Sequence, residues 1–187
     1  MEKKLTTRRI VFTALMAALT AAGSALRITI PLDIAGTSSF HLGNILCALS
    51  GLLLGPWLGG VAAGLGSAIY DMLNPLYISE AWLTFLMKGA YGLAAGLVAC
   101  WGRHKWGYGK AMLATITGAV TYAVLYLAKS YFYSGLFLHG LTPAAAALTL
   151  VGKLPATIFN AAVAIIAAPV LGIAIRKALA RSHLTLE

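Results

Sequence analysis

Four basic side chains, Arg27, Lys88, Lys129 and Lys153, stand inside or at the ends of long apolar runs rather than in the polar stretches between them. Asp33, Asp71 and Glu80, with His41 and His139, fall in the same parts of the chain. A charge within hydrocarbon costs at least about 2.5 to 3.5 kcal/mol on insertion scales, so such residues normally face a bundle interior or a wet cavity. The set is suited to binding a polar solute. The competing reading is that these charges reach the interface or pair with one another to hold helices together. Asp71 and Asn74 are one helical turn apart, so both can face one partner, or they can form a helix cap. Tyr77, Trp82, Tyr126, Tyr131, Phe132, Tyr133 and Phe137 thicken nearby. Interfacial belts use such residues, while a pocket mixing aromatic faces with a few fixed polar groups suits a flat, polar small molecule.

The elements that must position these residues follow from composition. The 187-residue chain is 60% hydrophobic and 10% charged, with five acids against fourteen Lys and Arg. A soluble domain of that size has too little interior for so much apolar surface. The apolar residues come in runs about long enough to cross a bilayer. The expected fold is all-α and integral to the membrane, one domain with six transmembrane helices at about 10–26, 41–54, 57–73, 82–101, 111–133 and 148–175. Gly55-Pro56 and Asn74-Pro75 mark two of the breaks. The basic cluster Lys3, Lys4, Arg8 and Arg9 precedes the first run; with five further runs following, that run reads as a membrane helix rather than a cleaved peptide.

Short loops rich in Lys and Arg stay cytoplasmic. Lys3, Lys4, Arg8 and Arg9, then Arg103, Lys105 and Lys110, then Arg176, Lys177 and Arg181 make ten of the fourteen, all on one side of a six-helix arrangement. Both termini are therefore expected in the cytoplasm, and the four remaining cations lie toward the outer face. In that topology the one-sided polar set implies a pocket open to the outside.

Nothing points to chemistry on covalent bonds. The chain has no G-x-x-x-x-G-K-[ST] loop for nucleotide phosphates and no H-E-x-x-H zinc pair. Asp71 follows Tyr70 as in half of an intramembrane aspartyl protease, but no second intramembrane Asp exists to share a proton. No enzyme, resident cofactor or metal is expected. The basic residues carry no nucleic-acid-binding signature, and Cys47 and Cys100, each within an apolar run, read as packing residues. The two halves show no inverted repeat of broken helices, so energy for uphill transport must come from other chains. On the first helix, Ala14, Ala18 and Ala22 recur every four residues, with Ala17, Ala21 and Ala25 beside them. Small residues at that spacing allow close helix approach, either inside the bundle or to an external partner.

The stretch Phe40-His41-Leu42-Gly43-Asn44, then Leu54-Gly55-Pro56 with Gly59, Gly60 and Gly64, then Gly66-Ser67-Ala68 running to Asp71, then Thr84 to Lys88-Gly89 and Gly92 to Gly96, resembles the substrate-binding S components of energy-coupling factor (ECF) transporters, in their riboflavin-transporter-like branch. The resemblance implies capture of a water-soluble vitamin or precursor at the outer face, in the plasma membrane of a prokaryote. It also implies docking on a transmembrane coupling subunit that carries two cytoplasmic ATPases, through an A-x-x-x-A motif that Ala14 and Ala18 match, with Ala22 extending it. The candidate substrate contacts are His41, Asn44, Asp71, Asn74, Tyr77, Glu80, Trp82, Lys88, Lys129, Tyr133, His139, Lys153 and Asn160. Gly135, Gly140 and Ala144 to Ala147 suggest room for a bulky ligand, which places cobalamin first and riboflavin second, with pyridoxine and hydroxymethylpyrimidine as other members of the branch's repertoire. The alternatives from the residues alone are an assembly protein held to a permanent partner by the Ala stripe, and a stand-alone small-solute carrier.

Overall fold

The computed structural model describes residues 6–31, 37–102 and 107–182. Lys3, Lys4, Asp33, Gly36, Arg103 and Lys105 lie outside the described residues. Six α-helices dominate: α1 (Thr7–Ala25), α2 (Gly43–Leu54), α3 (Pro56–Met72), α4 (Ala81–Cys100), α5 (Tyr108–Ala128) and α6 (Pro143–Arg181). Local chemistry sets several of the boundaries. The Thr6 hydroxyl accepts from the Arg9 N–H to open α1, and Thr142 accepts from the Ala145 N–H to open α6, with Pro143 in the first turn where a missing N–H costs nothing. Between α2 and α3, Gly55 takes a φ of 81°, a left-handed conformation that glycine adopts without a Cβ clash. Pro56 then starts α3.

The structure corrects the sequence reading in three places. The connection between the first two helices is a strand pair, not a loop, so the described chain is not all-α. β1 (Arg27–Pro31) pairs antiparallel with β2 (Thr37–His41), with Arg27 opposite His41 and Pro31 opposite Thr37. Ile28, Thr29 and Ile30 are β-branched residues that favour the extended backbone, and pairing satisfies main-chain groups that a bare loop would leave to water. Secondly, α5 does not run unbroken to residue 133; from Lys129 to Leu138 the backbone is π-helical. Thirdly, α6 begins five residues earlier than expected, which puts Lys153 nearly three turns inside the helix rather than near its start.

Successive helices run antiparallel, and glycine lets three of them touch backbone to backbone. A Cβ on Gly64 would sit 2.6 Å from the Phe85 carbonyl oxygen, one on Gly92 2.5 Å from the Gly59 carbonyl oxygen, and one on Gly96 2.5 Å from Pro56. The same seam admits α2, because a Cβ on Gly51 would meet α4 at Gly92 and Gly96. Helix α2 packs against every other helix of the bundle and buries most of its residues, as a helix apolar on all sides must. Three helical stretches, Ile78–Cys100, Tyr108–Leu138 and Pro143–Arg181, are both long and apolar enough to cross a membrane; α2 and α3 hold 12 and 17 residues, and α1, with 19, is long enough but less apolar. Trp57, Leu73, Leu97 and Ile166 are among many large apolar side chains on the outside, the surface expected of a protein solvated by lipid.

The alternation of the helices gathers the start of α1, the Gly55-Pro56 turn, the end of α4, the start of α5 and the end of α6 at one end of the bundle, with Arg8, Arg9, Lys110, Arg176, Lys177 and Arg181. The hairpin, the Leu73–Tyr77 connection and the π-helical segment gather at the other.

Candidate functional site

At this second end the hairpin, α3, α4, α5, the π-helical segment and α6 enclose a cavity of about 340 Å³, within the range of small-molecule sites. Its walls carry all four of the singled-out cations: Arg27 from β1, Lys88 from α4, Lys129 from the π-helical segment and Lys153 from α6. Asp71 and Glu80 line it too, as do His41, Tyr77, His139 and Asn160.

Each charged group is held in a definite way. Arg27 Nε donates to the Ser24 carbonyl at 2.8 Å, and its guanidinium lies 3.9 Å from Asp71 and over the rings of Tyr70 and Tyr77, at 4.1 and 4.8 Å from their centroids. Lys129 forms an ion pair with Glu80, which also accepts from the Ser134 hydroxyl at 3.1 Å. Glu80 thereby ties a 3-10 turn (Ile78–Glu80) ahead of α4 to the π-helical segment after α5.

Lys88 and Lys153 are bound differently. Lys88 donates to Asn44 Oδ1 and sits 3.9 Å from the centroid of the Tyr122 ring. Lys153 donates to Ser130 Oγ at 3.2 Å and lies 5.8 Å from the Tyr126 centroid. Both lysines are buried, at 3% and 5% exposure, and their direct partners are neutral groups. Tyr91, Tyr122 and Tyr126 stack in series at 6.0 and 5.7 Å; Tyr122 and Tyr126 line the cavity, and Tyr91 is buried behind them.

Asn160 locks the hairpin over α6: its Oδ1 accepts from the His41 N–H at 3.0 Å and its Nδ2 donates to the Ser39 carbonyl at 2.8 Å. Across the hairpin, Thr37 and Ser39 share hydrogen bonds with the Tyr77 hydroxyl at 3.2 and 3.1 Å. His41 Nδ1 accepts from the Gly43 N–H at 3.1 Å, so that nitrogen carries no proton. Burial, reinforced by Lys88 and then Arg27, pushes the His41 pKa well below its ordinary value, which keeps the ring neutral.

Of the thirteen residues singled out from the sequence, nine line the cavity: His41, Asp71, Tyr77, Glu80, Lys88, Lys129, His139, Lys153 and Asn160. Asn44 stands behind Lys88. Asn74 instead closes its own turn, accepting from the Leu76 N–H and donating to the Tyr70 hydroxyl, each at 3.0 Å. Trp82 is 56% exposed and packs edge-on to Tyr133, which also stacks on Phe137; neither Trp82 nor Tyr133 is part of the lining. Sequence reasoning missed Tyr122, Ser67, Thr84 and Thr157 as lining residues. The signal for Tyr122 was its spacing: Tyr122, Tyr126 and Lys129 fall four and three residues apart, on one helical face.

A family model matches nearly the whole chain. The model described as "ECF-type riboflavin transporter, S component" spans residues 4–177 of the chain. The chain belongs to this family. A curated relative from Pyrococcus woesei, described as "Uncharacterized protein in gap 3'region", is 31% identical over 118 residues, covering 63% of this chain and 74% of the relative. As an ECF S component the chain is the substrate-binding subunit of a membrane transporter and not an enzyme. The riboflavin-type match does not support the expected first place of cobalamin. The small residues behind that expectation do not line the cavity: a Cβ on Gly135 would lie 2.9 Å from the Ala146 Cβ, Gly140 turns the chain at a φ of 59°, and Ala144 and Ala147 are exposed.

Proposed function

We propose that this S component captures a vitamin-type solute, with riboflavin the first candidate, in the cavity beneath the hairpin. The chain crosses the membrane six times as one domain, with both termini in the cytoplasm of a prokaryote and the cavity facing outward. The loaded protein then delivers its solute through a complex with a transmembrane coupling subunit and two cytoplasmic ATPases. The observation that carries this reading is the separation of charge along the bundle. The basic helix ends gather at one end, where the positive-inside rule expects cytoplasm, and the enclosed polar cavity lies at the other.

Within the cavity, Tyr122 and Tyr126 offer flat faces for an aromatic ring system. Lys88, Lys129 and Lys153 supply donors, while Asp71, Glu80 and Asn160 supply acceptors. Asn44 orients Lys88 from behind. The Arg27 and Asn160 anchors hold the hairpin across the top, where it shields the ligand from water.

The stripe of Ala14, Ala18 and Ala22 is the docking face for the coupling subunit. All three are exposed, whereas Ala17, Thr20 and Ser24 on the other side of α1 are buried in the bundle. The bundle's own packing thus uses one face of α1 and leaves the small-residue stripe outward.

The test is equilibrium binding to the purified full chain in detergent, without ATP. Riboflavin is added across a concentration series, and mass spectrometry reads any small molecule that co-purifies. Saturable binding of one vitamin is the expected result. The same protein alone in liposomes is expected to bind but not to accumulate solute. Absence of any saturable ligand across the water-soluble vitamins would return the chain to an assembly role, and accumulation by the lone chain would make it a carrier.

A further inference from the structure

We infer that the preferred ligand carries an acidic group, a carboxylate or a phosphate monoester, that answers the charge of Lys88 and Lys153, so that an acid-bearing form outranks neutral riboflavin itself; this rests on the reading of the cavity as the solute site. The argument is one of charge. Arg27, Lys88, Lys129 and Lys153 line the cavity against two carboxylates among the described residues, Asp71 and Glu80. Arg27 faces Asp71, and Lys129 is paired with Glu80. Among the described residues, the hydrogen bonds and ring contacts of Lys88 and Lys153 go to an amide oxygen, a hydroxyl and two tyrosine faces, while Asp71 and Glu80, already engaged by Arg27 and Lys129, act on them only at longer range.

The imbalance is a property of the sequence as well. The chain's acids are Glu2, Asp33, Asp71, Glu80 and Glu187. Two of these stand at the chain ends, and Asp33 lies outside the described residues. Even with the charge of Asp33 set against one of the four cations, the count leaves one without a counter-charge. His41 adds no negative charge in either protonation state.

Buried cations are stable when paired and costly when not. A neutral ligand would leave the excess charge in a partly enclosed space of reduced dielectric, whereas an anion would offset it and gain charge-assisted hydrogen bonds from the ammonium group it meets. The tyrosines under both lysines hold the ammonium groups in place before the ligand arrives, which lowers the ordering cost of binding. The aromatic faces of Tyr122 and Tyr126 and the two lysines together describe a ligand with a planar portion and an acidic group.

Titration calorimetry on the purified full chain tests this with matched pairs that differ in charge. Riboflavin against riboflavin 5′-phosphate tests a phosphate, and nicotinamide against nicotinate tests a carboxylate. Pantothenate and biotin extend the carboxylate arm. In at least one arm the acid-bearing compound is expected to bind roughly tenfold to a hundredfold more tightly, the range of a hydrogen bond to a charged group. Lys88→Met and Lys153→Met should each collapse that ratio toward one, and Lys88→Arg should restore part of it. Thermal unfolding of each variant identifies any that fails to fold, in which case the other lysine carries the test. If riboflavin binds as tightly as every acid-bearing compound, or the ratio survives both lysine changes, the acid-group inference is overturned while the vitamin-binding function stands. If no compound binds saturably, the function reading falls first and this inference falls with it.

Discussion

At the scale of single residues, Glu80 and His41 show how the cavity wall is held. Glu80 accepts from Lys129 and Ser134 at once and is the only link of its kind between the turn before α4 and the π-helical segment, among the described residues. Glu80→Ala leaves Lys129 partly buried without its counter-charge, so thermal or denaturant unfolding should report a loss of about 1.5–3 kcal/mol. Glu80→Gln should recover part of this through the surviving Ser134 contact. His41 makes a pH prediction. Its folded-state pKa is depressed by burial and by Lys88 and Arg27, so the unfolded chain takes up a proton from about pH 6.5 downward while the folded chain resists it. The contribution to stability is present above that value and is lost as pH falls toward the folded pKa. Melting temperature should therefore drop between pH 7 and pH 5, and His41→Gln should flatten that slope. The charged members of the site were legible in the sequence because hydrocarbon makes every buried charge conspicuous. Their aromatic partners were not: Tyr122 meets Lys88 across 34 positions of chain, and a tyrosine in mid-helix looks like any core residue until the fold brings a cation to it.

At the scale of elements, the breaks at Gly55-Pro56 and after α3 were readable because glycine and proline act locally. The strand pair was not, since five-residue strands such as Arg27–Pro31 and Thr37–His41 carry little periodic signal. What fixes them is distant, in the Asn160 amide and the Tyr77 hydroxyl. The π-helical stretch was equally hidden: Lys129–Leu138 is apolar enough to continue a helix, and its altered winding shows only in three dimensions. The glycines of α3 and α4 support a sharper expectation. Gly92 faces the Gly59 backbone with no room for a side chain. Gly92→Val must push α3 from α4, and it should abolish ligand binding and lower the yield of monodisperse protein on size-exclusion chromatography. Gly109, with nothing near its missing Cβ, should accept alanine with normal yield.

At the scale of the whole molecule, the one-sided polar set was visible in the sequence as an ordering of charges, and the antiparallel bundle turns that ordering into two chemically distinct ends. The division of α1 into two faces was left open by the sequence, because both alanine stripes have the same spacing. Burial distinguishes them in part: Ala17 is 3% exposed and Ala21 half-buried, while Ala14, Ala18 and Ala22 face outward, as does Ala25 at the end of the second stripe. Ala14→Leu or Ala18→Leu should therefore abolish uptake in cells that carry the coupling subunit and ATPases, through lost close packing. The purified variants should keep their ligand affinity within about threefold, since the cavity lies at the opposite end of the bundle from Ala14 and draws no residue from the stripe. A matching loss of affinity would place the stripe inside the bundle's own packing.

Helix α6 carries two prolines along its 39 residues, and Pro155 stands between Lys153 and Thr157, both on the cavity wall. Proline removes one backbone donor, so the Val151 carbonyl has no N–H at position 155 to receive. The wall formed by α5, its π-helical continuation and α6 is thus more deformable than the glycine-zipped slab of α2, α3 and α4. Hydrogen–deuterium exchange with and without bound solute should register the asymmetry as protection gained around residues 129–157 and little change at residues 56–66. Such a protein would grip its cargo as a hand does against a board, with one side yielding and the other fixed.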